Sequence, residues 1–570
     1  MKSIVVIGAL AVALVVPAAA QMTREQKAAD FQQLAAVYAK NYAPYEWKLE
    51  ALKFDLFDIA GWLERVARSK DDLEFYDICI EYVAGLNDAH DAFELPSTFS
   101  ASLGFTVDIY DGKVVIDSVD RTLLRQSDFP FAAGDEIVSM DGKPVEEWIL
   151  ANWKYSTAAN ERSTRRIAAT LLTERPQWYM PRAHEIGDSA SIVVRRRNGD
   201  EETYTVPWQK HGTPITVVGP VPSPKSAAAP RRAARAKESD LPDYLRPLAA
   251  LYNARRRGVA DALLGVGARA PIFTARPQGF VQRLGRSAND VFYSGTFESG
   301  GFKIGYLRIP DFDPPSQAFA LQQFDAEIAY FRDNTDGLIL DEMRNPGGSA
   351  CYVQSLLTRV MPDPFRTIGF EIRATATWLA AFAESLELAR EQDADQLIID
   401  LLEARYKDVE TAYRENRGRT GPMSICSLTL DVEPAKDRFG RITAYDKPVM
   451  VLVDEMSASG ADMFPAVIQD HGRGVIAGVR TMGAGGTVDY FASTTYSEGF
   501  STVTTSLMNR KWPISSEGLP AAPYLENIGV QPGVAIDYMT RENLSTGGRP
   551  FVDAFAAAMV DEIKFRRAAQ

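Results

Sequence analysis

The sequence predicts a multidomain α/β protein, and two repeats of a strand–loop–helix pattern carry that prediction. The apolar run Val449–Val453 meets a turn of small residues, and from Ser459 onwards the apolar side chains fall at helical spacing. Residues 337–340 form a second apolar run, which a loop over residues 341–348 and a helix over residues 349–360 follow. Strands and helices that alternate in this way are typical of an α/β core. The length of 570 residues predicts two to four domains.

The N-terminus predicts export from the cytoplasm. Lys2 precedes an apolar stretch over residues 4–16, and residues 17–21 read P-A-A-A-Q, which offers an A-x-A cleavage site. We therefore expect residues 1–20 to be a signal peptide and the protein to be periplasmic or secreted. The apolar stretch is too short to favour a membrane anchor, so no stable membrane insertion is expected.

The composition favours a large secreted enzyme over a nucleic-acid-binding protein. Hydrophobic residues make up 46% of the chain and charged residues 24%, with a formal net charge of −13. An acidic chain without an extended basic face gives no support for nucleic-acid binding. The three cysteines, Cys79, Cys351 and Cys426, lack the spacing of metal ligands, and an odd number cannot all pair within one chain. We treat them as free thiols, and we expect neither a metal nor a cofactor.

Changes in composition divide the rest of the chain. The N-terminal part is rich in helix formers, the next part alternates like β-structure, and a basic segment rich in proline and alanine then interrupts the chain before the α/β core. We expect a helical region over residues 21–97, a β domain over 98–210, a linker over 211–289, a core over 290–540 and a C-terminal helix over 541–570. The core contains an insertion over residues 365–446, in which a long helix is predicted near residues 380–405.

A serine lies at the joint between the strand Val449–Val453 and the helix that follows it. A hydroxyl at such a joint points out of the turn, and the next backbone N–H, that of Gly460, belongs to the unpaired first turn of the helix. Nucleophile and oxyanion donor would therefore arrive together. The alternative is that Ser457 or Ser459 only caps a core helix.

The loop over residues 341–348 reads D-E-M-R-N-P-G-G and ends in paired glycines. Glycine lets backbone N–H groups face a ligand without obstruction from a Cβ atom, so Gly348 could supply a second oxyanion donor. The alternative is an ordinary turn.

Together these two segments resemble the C-terminal-processing (tail-specific) serine proteases, whose motifs are D-L-R-x-N-x-G-G and S-A-S-x-x-[DE]. The resemblance extends from about residue 293 to residue 537 and implies a crotonase-like (ClpP/crotonase-type) α/β core. It also implies that Ser459 is the nucleophile and that the N–H groups of Gly348 and Gly460 form the oxyanion hole. Most members use a lysine as base, but Ala484 stands in the matching position here.

A different base is therefore needed, and the chain has only four histidines, His90, His184, His211 and His471. His90 lies in N-D-A-H-D, after a predicted helix, and is similar to the D-x-H element of the histidine-using branch of the superfamily, which includes a chlamydial protease. His471 is expected at the surface, and the other two have no catalytic context.

The same branch shares three further motifs with this chain, S-G-A-D-M-F-P from Ser459, G-V-R-T-M-G-A-G-G from residue 478 and E-N-I-G-V-Q-P from Glu526. The resemblance implies that Glu526 is the third triad member. A serine hydroxyl needs a base such as His90 to accept its proton, and the carboxylate orients that base. Asp470 and Asp489 are the alternative orienting acids, and Glu526 could instead be an exposed acid before a strand.

Residues 102–105 read S-L-G-F and precede a strand, which resembles the carboxylate-binding loop of PDZ domains. The resemblance implies a PDZ-like β domain in which the N–H groups of Leu103, Gly104 and Phe105 hold a peptide C-terminus. Ser102 replaces the usual first glycine. The alternative is an internally packed β domain that binds no peptide.

We therefore expect a secreted or periplasmic serine endopeptidase that binds a polypeptide as an extended chain beside its sheet. The resemblance also suggests a homodimer and a processing or inhibitory role for residues 211–289. The alternatives are a non-catalytic peptide- or ligand-binding protein on the same fold and an esterase or amidase with the same triad.

Overall fold

The N-terminal region is helical and leads directly to His90. The computed structural model describes residues 21–216, 218–219, 242–250, 262–516 and 518–568. The expected signal peptide and the basic part of the linker lie outside these residues. The described helices of this region are α1 (Arg24–Asn41), α2 (Tyr45–Leu52), α3 (Ala60–Arg68) and α4 (Asp72–Ala84).

Capping side chains define where two of these helices begin. Thr23 accepts a hydrogen bond from the N–H of Gln26 at the start of α1, and Asp71 accepts one from Glu74 at the start of α4. Buried aromatic side chains of α1 and α4 pack against each other. After α4, strand β1 (Ala92–Glu94) pairs with a strand of the α/β core, so the loop between α4 and β1 is held at the core surface.

The second region is a β domain with two helices. Its elements are β2 (Ser100–Ser102), β3 (Phe105–Tyr110), β4 (Lys113–Val119), β5 (Glu136–Met140), β6 (Lys143–Pro144), α5 (Val145–Asn152), α6 (Glu161–Thr170), β7 (Glu174–Pro176), β8 (Ser189–Arg195), β9 (Glu201–Pro207) and β10 (Gln209–His211). The main sheet has the antiparallel order β3-β4-β5-β8-β9, with β6 beside β5. β3 lies at the sheet edge and packs against α6.

The core begins after the linker. Its first elements are α7 (Arg246–Ala250), β11 (Val281–Gln282), β12 (Tyr293–Ser299), β13 (Phe302–Arg308), α8 (Gln317–Asn334), β14 (Gly337–Asp341) and α9 (Ala350–Leu357). The insertion contains β15 (Phe365–Arg366), β16 (Gly369–Ile372), α10 (Ala376–Glu391), α11 (Gln396–Arg414) and β17 (Asp431–Val432). The rest comprises β18 (Val449–Val453), α12 (Gly460–Asp470), β19 (Gly474–Gly478), β20 (Val488–Ala492), β21 (Phe500–Thr504), β22 (Ser506–Ile514), β23 (Ala522–Tyr524), β24 (Val534–Ala535), α13 (Arg541–Thr546) and α14 (Arg549–Ala568).

The central sheet has the order β11-β12-β13-β14-β18-β19-β24 and is parallel from β13 onwards. Both of its faces are covered. Leu338 and Leu340 of β14 join the hydrophobic cluster that contains α8, α9 and α12, whereas Ile339 joins the cluster that contains α14. A strand that is buried on both faces has a continuous run of apolar residues. The apolar runs 337–340 and Val449–Val453 therefore predicted these two strands.

The insertion differs from the prediction in one respect, because the long helix expected near residues 380–405 is two helices. The backbone of Asp393 has a φ of 49°, which ends α10, and Asp395 caps α11 through the N–H of Leu397. The two helices pack against each other. Helical periodicity continues through both, so it did not reveal the turn.

The expectation of three free cysteines is wrong for two of them. Cys351, in the first turn of α9, forms a disulfide with Cys426 of the insertion, and their Cα atoms are 5.2 Å apart. The insertion folds back onto α9, which brings together two residues 75 positions apart in the chain. Cys79 is buried and free.

Candidate active site

Ser459 occupies a strained turn between β18 and α12. Its φ is 58° and its ψ is −109°, a conformation that residues with a Cβ atom rarely adopt and that is often kept at functional sites. The residue is 3% exposed. Its N–H donates to Asp462 Oδ2 at 2.8 Å, which fixes the turn from within the helix that follows.

The paired glycines lie directly against this turn. A Cβ atom on Gly347 would lie 2.7 Å from Ser459 Cβ and from the Gly460 nitrogen, and a Cβ on Gly460 would lie 3.3 Å from the Gly348 nitrogen. The N–H groups of Gly348 and Gly460 are therefore close together. No loop or cap hydrogen bond of the described residues uses either of them. Two such N–H groups beside a serine can bind an oxyanion.

Asn345 holds the glycine loop and the serine turn together. Its Oδ1 accepts a hydrogen bond from the Gly347 N–H at 2.8 Å, and its backbone oxygen accepts one from the Ala458 N–H at 2.9 Å. The side chain is fully buried and donates through Nδ2 to the Ile309 oxygen. This amide therefore fixes the relative position of the two segments without touching solvent.

Asp462 anchors the loop that carries Ala484 in place of the superfamily's lysine. Its carboxylate accepts hydrogen bonds from the N–H groups of Ser459, Gly483 and Ala484 and from the Thr481 hydroxyl. Burial raises the pKa of this carboxyl to about 6, although the four donors stabilise its ionised form. The carboxylate is occupied by these contacts and holds the fold of the site.

His90 lies on the loop between α4 and β1 and is 3% exposed. Its backbone N–H donates to Asp88 Oδ1 at 2.9 Å, and its Nδ1 is 3.8 Å from the same oxygen. The adjacent Ala89 belongs to one small hydrophobic cluster with Ala458 and Ala484. This packing brings the histidine loop beside the nucleophile turn.

Glu526 completes a buried group of three side chains. One ligand atom from each of Asp88, His90 and Glu526 lies within 4.8 Å of the others. Glu526 Oε1 is 2.5 Å from the Lys48 Nζ, and Oε2 accepts a hydrogen bond from the Gly485 N–H at 2.8 Å. Burial, and then Asp88, raise the pKa of Glu526 to about 8, whereas Lys48 and the Gly485 N–H favour its carboxylate.

The spacing of Asp88, His90 and Glu526 would also allow them to share a cation. The Lys48 ammonium already lies against Glu526 and supplies a positive charge there. A second cation beside that ammonium would be repelled, so this arrangement suits an acid–base pair better than a metal centre.

The other histidines and acids proposed from the sequence lie elsewhere or have other partners. Asp470 is the last residue of α12, at the end opposite Ser459, and pairs with Arg510 at 2.6 Å. His471, expected at the surface, is half-buried, and its Nε2 lies 3.1 Å from the Arg366 nitrogen and 3.2 Å from the Arg366 oxygen. His184 contacts Gln177, and His211 is exposed in β10.

The predicted carboxylate-binding loop is partly engaged within its own domain. The N–H of Leu103 donates to the Thr173 oxygen at 3.0 Å, and the oxygen of Gly104 accepts from Asp120 at 2.9 Å. Phe105 begins β3 and is buried. The role of these three residues in peptide binding stays a prediction.

Arg166 joins the β domain to the nucleophile turn. This fully buried residue of α6 contacts Asp108 of β3 at 2.6 Å and Glu455, four residues before Ser459, at 2.9 Å. The ion pair between Arg166 and Asp108 thus connects α6 to β3. The β domain is fixed to the site rather than tethered loosely to it.

A cavity of about 370 Å³ opens beside His90. Apolar side chains of α4 and α6 and the aromatic pair Trp178 and Tyr179 form much of its wall. A cavity of this size can hold a side chain of a bound peptide.

Sequence reasoning missed Lys48. Nothing near it in Y-E-W-K-L marks a functional residue, because its partners lie 39 and 478 positions further along the chain. Asp88 is the first residue of the D-x-H element, and the sequence predicted no separate role for it.

Comparison with known proteins identifies the class. Residues 303–512 match the model of peptidase family S41, and residues 99–216 match that of a PDZ domain. The protein is therefore a serine-type peptidase with an S41 catalytic domain and a PDZ domain, and its substrates are polypeptides. These findings confirm the superfamily, the fold class and the enzyme class that the sequence predicted.

Its relatives cover nearly the whole chain. A protein of Chlamydia trachomatis serovar D is 25% identical in an alignment that covers 92% of this chain and 90% of that protein. A Chlamydia muridarum protein is 24% identical, with 90% and 89% covered. The crystal structure of mature CPAF has a TM-score of 0.73 at 21% identity and covers 95% of this chain and 98% of its own. Mature CPAF complexed with lactacystin has a TM-score of 0.72 at 21% identity, with 95% and 99% covered.

No described helix has both the length and the apolar character needed to cross a membrane.

Proposed function

We propose that the protein is an endopeptidase whose triad is Ser459, His90 and Glu526 and whose oxyanion hole is formed by the N–H groups of Gly348 and Gly460. The observation that carries this proposal is the close packing of the glycine loop on the strained serine turn, with 2.7 Å between Ser459 Cβ and a Cβ position on Gly347. A helix cap alone would need neither the strained φ of the serine nor two adjacent free N–H groups.

The proposal gives each of these residues a role in the reaction. His90 accepts the proton of the Ser459 hydroxyl as its oxygen attacks the scissile carbonyl, and the oxyanion binds to the two glycine N–H groups. His90 then gives the proton to the leaving amine, and water hydrolyses the acyl-enzyme by the reverse sequence. Glu526 stabilises the imidazolium in both steps.

The protein acts outside the cytoplasm, in the periplasm or as a secreted enzyme. The expected signal peptide supports this location. The Cys351–Cys426 disulfide supports it independently, because such bonds persist in oxidising compartments. N-terminal sequencing of the protein exported from its own cells should begin near residue 21.

Residues 211–289 restrain the site before processing. In support, Leu264 and Val266 are buried in the same cluster as Ala89 and Ala458, the neighbours of the proposed base and nucleophile. Arg344 of the glycine loop donates to the Leu264 oxygen.

The active enzyme is a homodimer, as the resemblance suggests, and light scattering measures this directly.

A fluorophosphonate probe tests the proposal. The wild type should be labelled at Ser459 and should hydrolyse a polypeptide, whereas Ser459→Ala should do neither. Ser457→Ala is the matched control, because the Ser457 hydroxyl donates to the backbone oxygen of Glu342 in the glycine loop, and it should keep its label. Absence of label on Ser459 would favour the non-catalytic binding protein. Label together with hydrolysis of esters alone would favour the esterase.

A further inference from the structure

Lys48 is fully buried in α2, and its ammonium group has three hydrogen-bond partners inside the protein. Its Nζ is 2.5 Å from Glu526 Oε1, 2.7 Å from Asn527 Oδ1 and 3.2 Å from the Asn87 oxygen. Three donors thus meet three acceptors. A lysine is almost never fully buried unless it is paired, so this position is specific.

The partners of Lys48 lie on the two loops that carry the proposed base and acid. Asn87 is three residues before His90, and Asn527 follows Glu526. Both asparagines have positive φ values, 45° and 62°, which asparagine tolerates better than most residues. The Asn527 Nδ2 also donates to the Asn87 oxygen at 2.8 Å. Lys48 therefore sits where these two loops meet.

The surroundings of Glu526 are strongly acidic. Asp88 and Asp91 are buried beside it, and Lys48 is the cation that contacts the group. Asp88 Oδ2 accepts a hydrogen bond from the Tyr42 hydroxyl at 2.9 Å, and His90 lies within 4.8 Å of Asp88 and Glu526.

Asp91 faces the same group from the strand side. Its Oδ1 accepts a hydrogen bond from the Thr504 N–H at 2.8 Å. Burial, and then Asp88, raise the pKa of Asp91 well above its usual range, which shows how weakly this environment supports additional negative charge. The charge on Glu526 therefore depends on its contact with Lys48.

We propose that Lys48 is a positioning residue of the peptidase, which acts through Glu526 to keep that carboxylate charged and directed towards His90. This inference rests on the triad proposed above. The Lys48 ammonium contacts Glu526, Asn527 and Asn87, so it would act through the acid.

Loss of the lysine charge should make the buried group take up a proton more readily. The proton could reside on Glu526 or on His90, and the two would titrate as one unit. Either location stops catalysis, because the first removes the orienting charge and the second removes the base. The acid limb of the kcat profile should therefore move to higher pH, by about 1 to 3 pH units for the loss of one close opposite charge.

The experiment compares the pH dependence of kcat and KM in Lys48→Met and in Lys27→Met. Lys27 is the matched control, because it is also buried and pairs with Asp72 at 3.3 Å on α1 and α4, away from the proposed triad. Lys48→Met should lose activity at pH 7, recover part of it at higher pH and keep its KM. Lys27→Met should leave the acid limb in place. A uniform loss at every pH in Lys48→Met would overturn the proposal.

A double variant covers the case in which Lys48→Met does not fold. Lys48→Met combined with Glu526→Gln removes both charges together, and it should be no less active than Glu526→Gln alone. A large additional loss would mean that Lys48 acts elsewhere and would overturn the proposal.

An NMR titration of ¹³C-labelled histidine separates this inference from the proposed function. If wild-type protein hydrolyses nothing, the peptidase proposal fails, but the His90 resonance still reports the charge of the group. Its midpoint, or that of the coupled pair, should rise in Lys48→Met and not in Lys27→Met. An unchanged midpoint would contradict the role of Lys48.

Discussion

The proposed site has two halves, of which one is formed mainly by backbone groups and the other by charged side chains. The nucleophile half consists mainly of backbone, with the Ser459 turn joined to the glycine loop through Asn345 and to the loop that carries Ala484 through Asp462. The base half consists of side chains from distant segments, Lys48, His90 and Glu526, gathered in a buried cluster of charges. Backbone groups do not titrate, and the proposed base and its orienting acid are both in the base half, where charged side chains are buried together. We therefore expect changes in the base half to alter how kcat depends on pH. Changes in the nucleophile half should lower kcat by displacing backbone groups.

The largest expected effect tests the base half at its centre. His90→Ala should lower kcat by about 10⁶, as much as loss of the serine, because members of a triad act as a unit. His471→Ala should change it little, since that ring lies against the Arg366 backbone and the ring of Phe365. Activity of the wild type should also fall at acidic pH as the imidazole is protonated. Steady-state kinetics of the two variants measure this, and equal activities would remove His90 from the site.

The next effect compares the two acids near His90. Glu526→Gln should lower kcat by about 10⁴ with little change in KM, as expected when the acid that orients the base is replaced by its amide. Asp88→Asn should cost far less, because Asp88 Oδ1 accepts the backbone N–H of His90 at 2.9 Å and its Oδ2 accepts the Tyr42 hydroxyl at 2.9 Å, so this side chain holds the loop that carries the base. The reverse order of the two losses would make Asp88 the third triad member. Because the pKa of Glu526 is raised to about 8, wild-type kcat should still increase between pH 7 and pH 8.

Gly348→Ala tests the nucleophile half. The residue has a φ of 147°, and a Cβ atom there would lie 2.2 Å from the Phe312 carbonyl carbon, so the loop must move. Displacement of one oxyanion donor should lower kcat by about 10² to 10³, equally at all pH values. Gly472→Ala is the control, since it also has a positive φ but open space around it. A loss that depends on pH would show that the two halves are not independent.

The sequence predicted the nucleophile half better than the base half, and the reason is physical. Strand, turn and helix are contiguous in the sequence around Ser459. The glycines that allow the loop backbone to approach the serine turn can be identified directly in the sequence. Lys48 meets Glu526 only after a helical region folds onto the core, and no local pattern encodes that contact. The disulfide between Cys351 and Cys426 and the turn at Asp393 were missed for the same reason, because tertiary packing decides them.

The smallest expected effect is on the free energy of unfolding. It concerns Glu342, an ionisable side chain buried in the nucleophile half. Glu342 occupies the position of leucine in the superfamily's glycine loop, is fully buried, and has no hydrogen-bond partner for either carboxylate oxygen among the described residues. Burial, and then Asp341 and Asp462, raise the pKa of this carboxyl well above its usual range.

The sign of the pH effect follows from that shift. The folded state binds a proton at Glu342 that the unfolded state releases above about pH 4.3, so the contribution of this group to stability is greatest below that pH and falls as the pH rises towards the folded-state pKa. Glu342→Leu should remove this penalty and raise the free energy of unfolding at pH 8 by about 1 to 3 kcal/mol, with a smaller gain at pH 4. Glu342→Gln, which keeps a polar group but cannot ionise, should gain less at pH 8 and lose the pH dependence. Denaturant midpoints at both pH values measure these differences, and a Leu variant less stable than wild type at pH 8 would mean that the carboxylate has a partner that stabilises it.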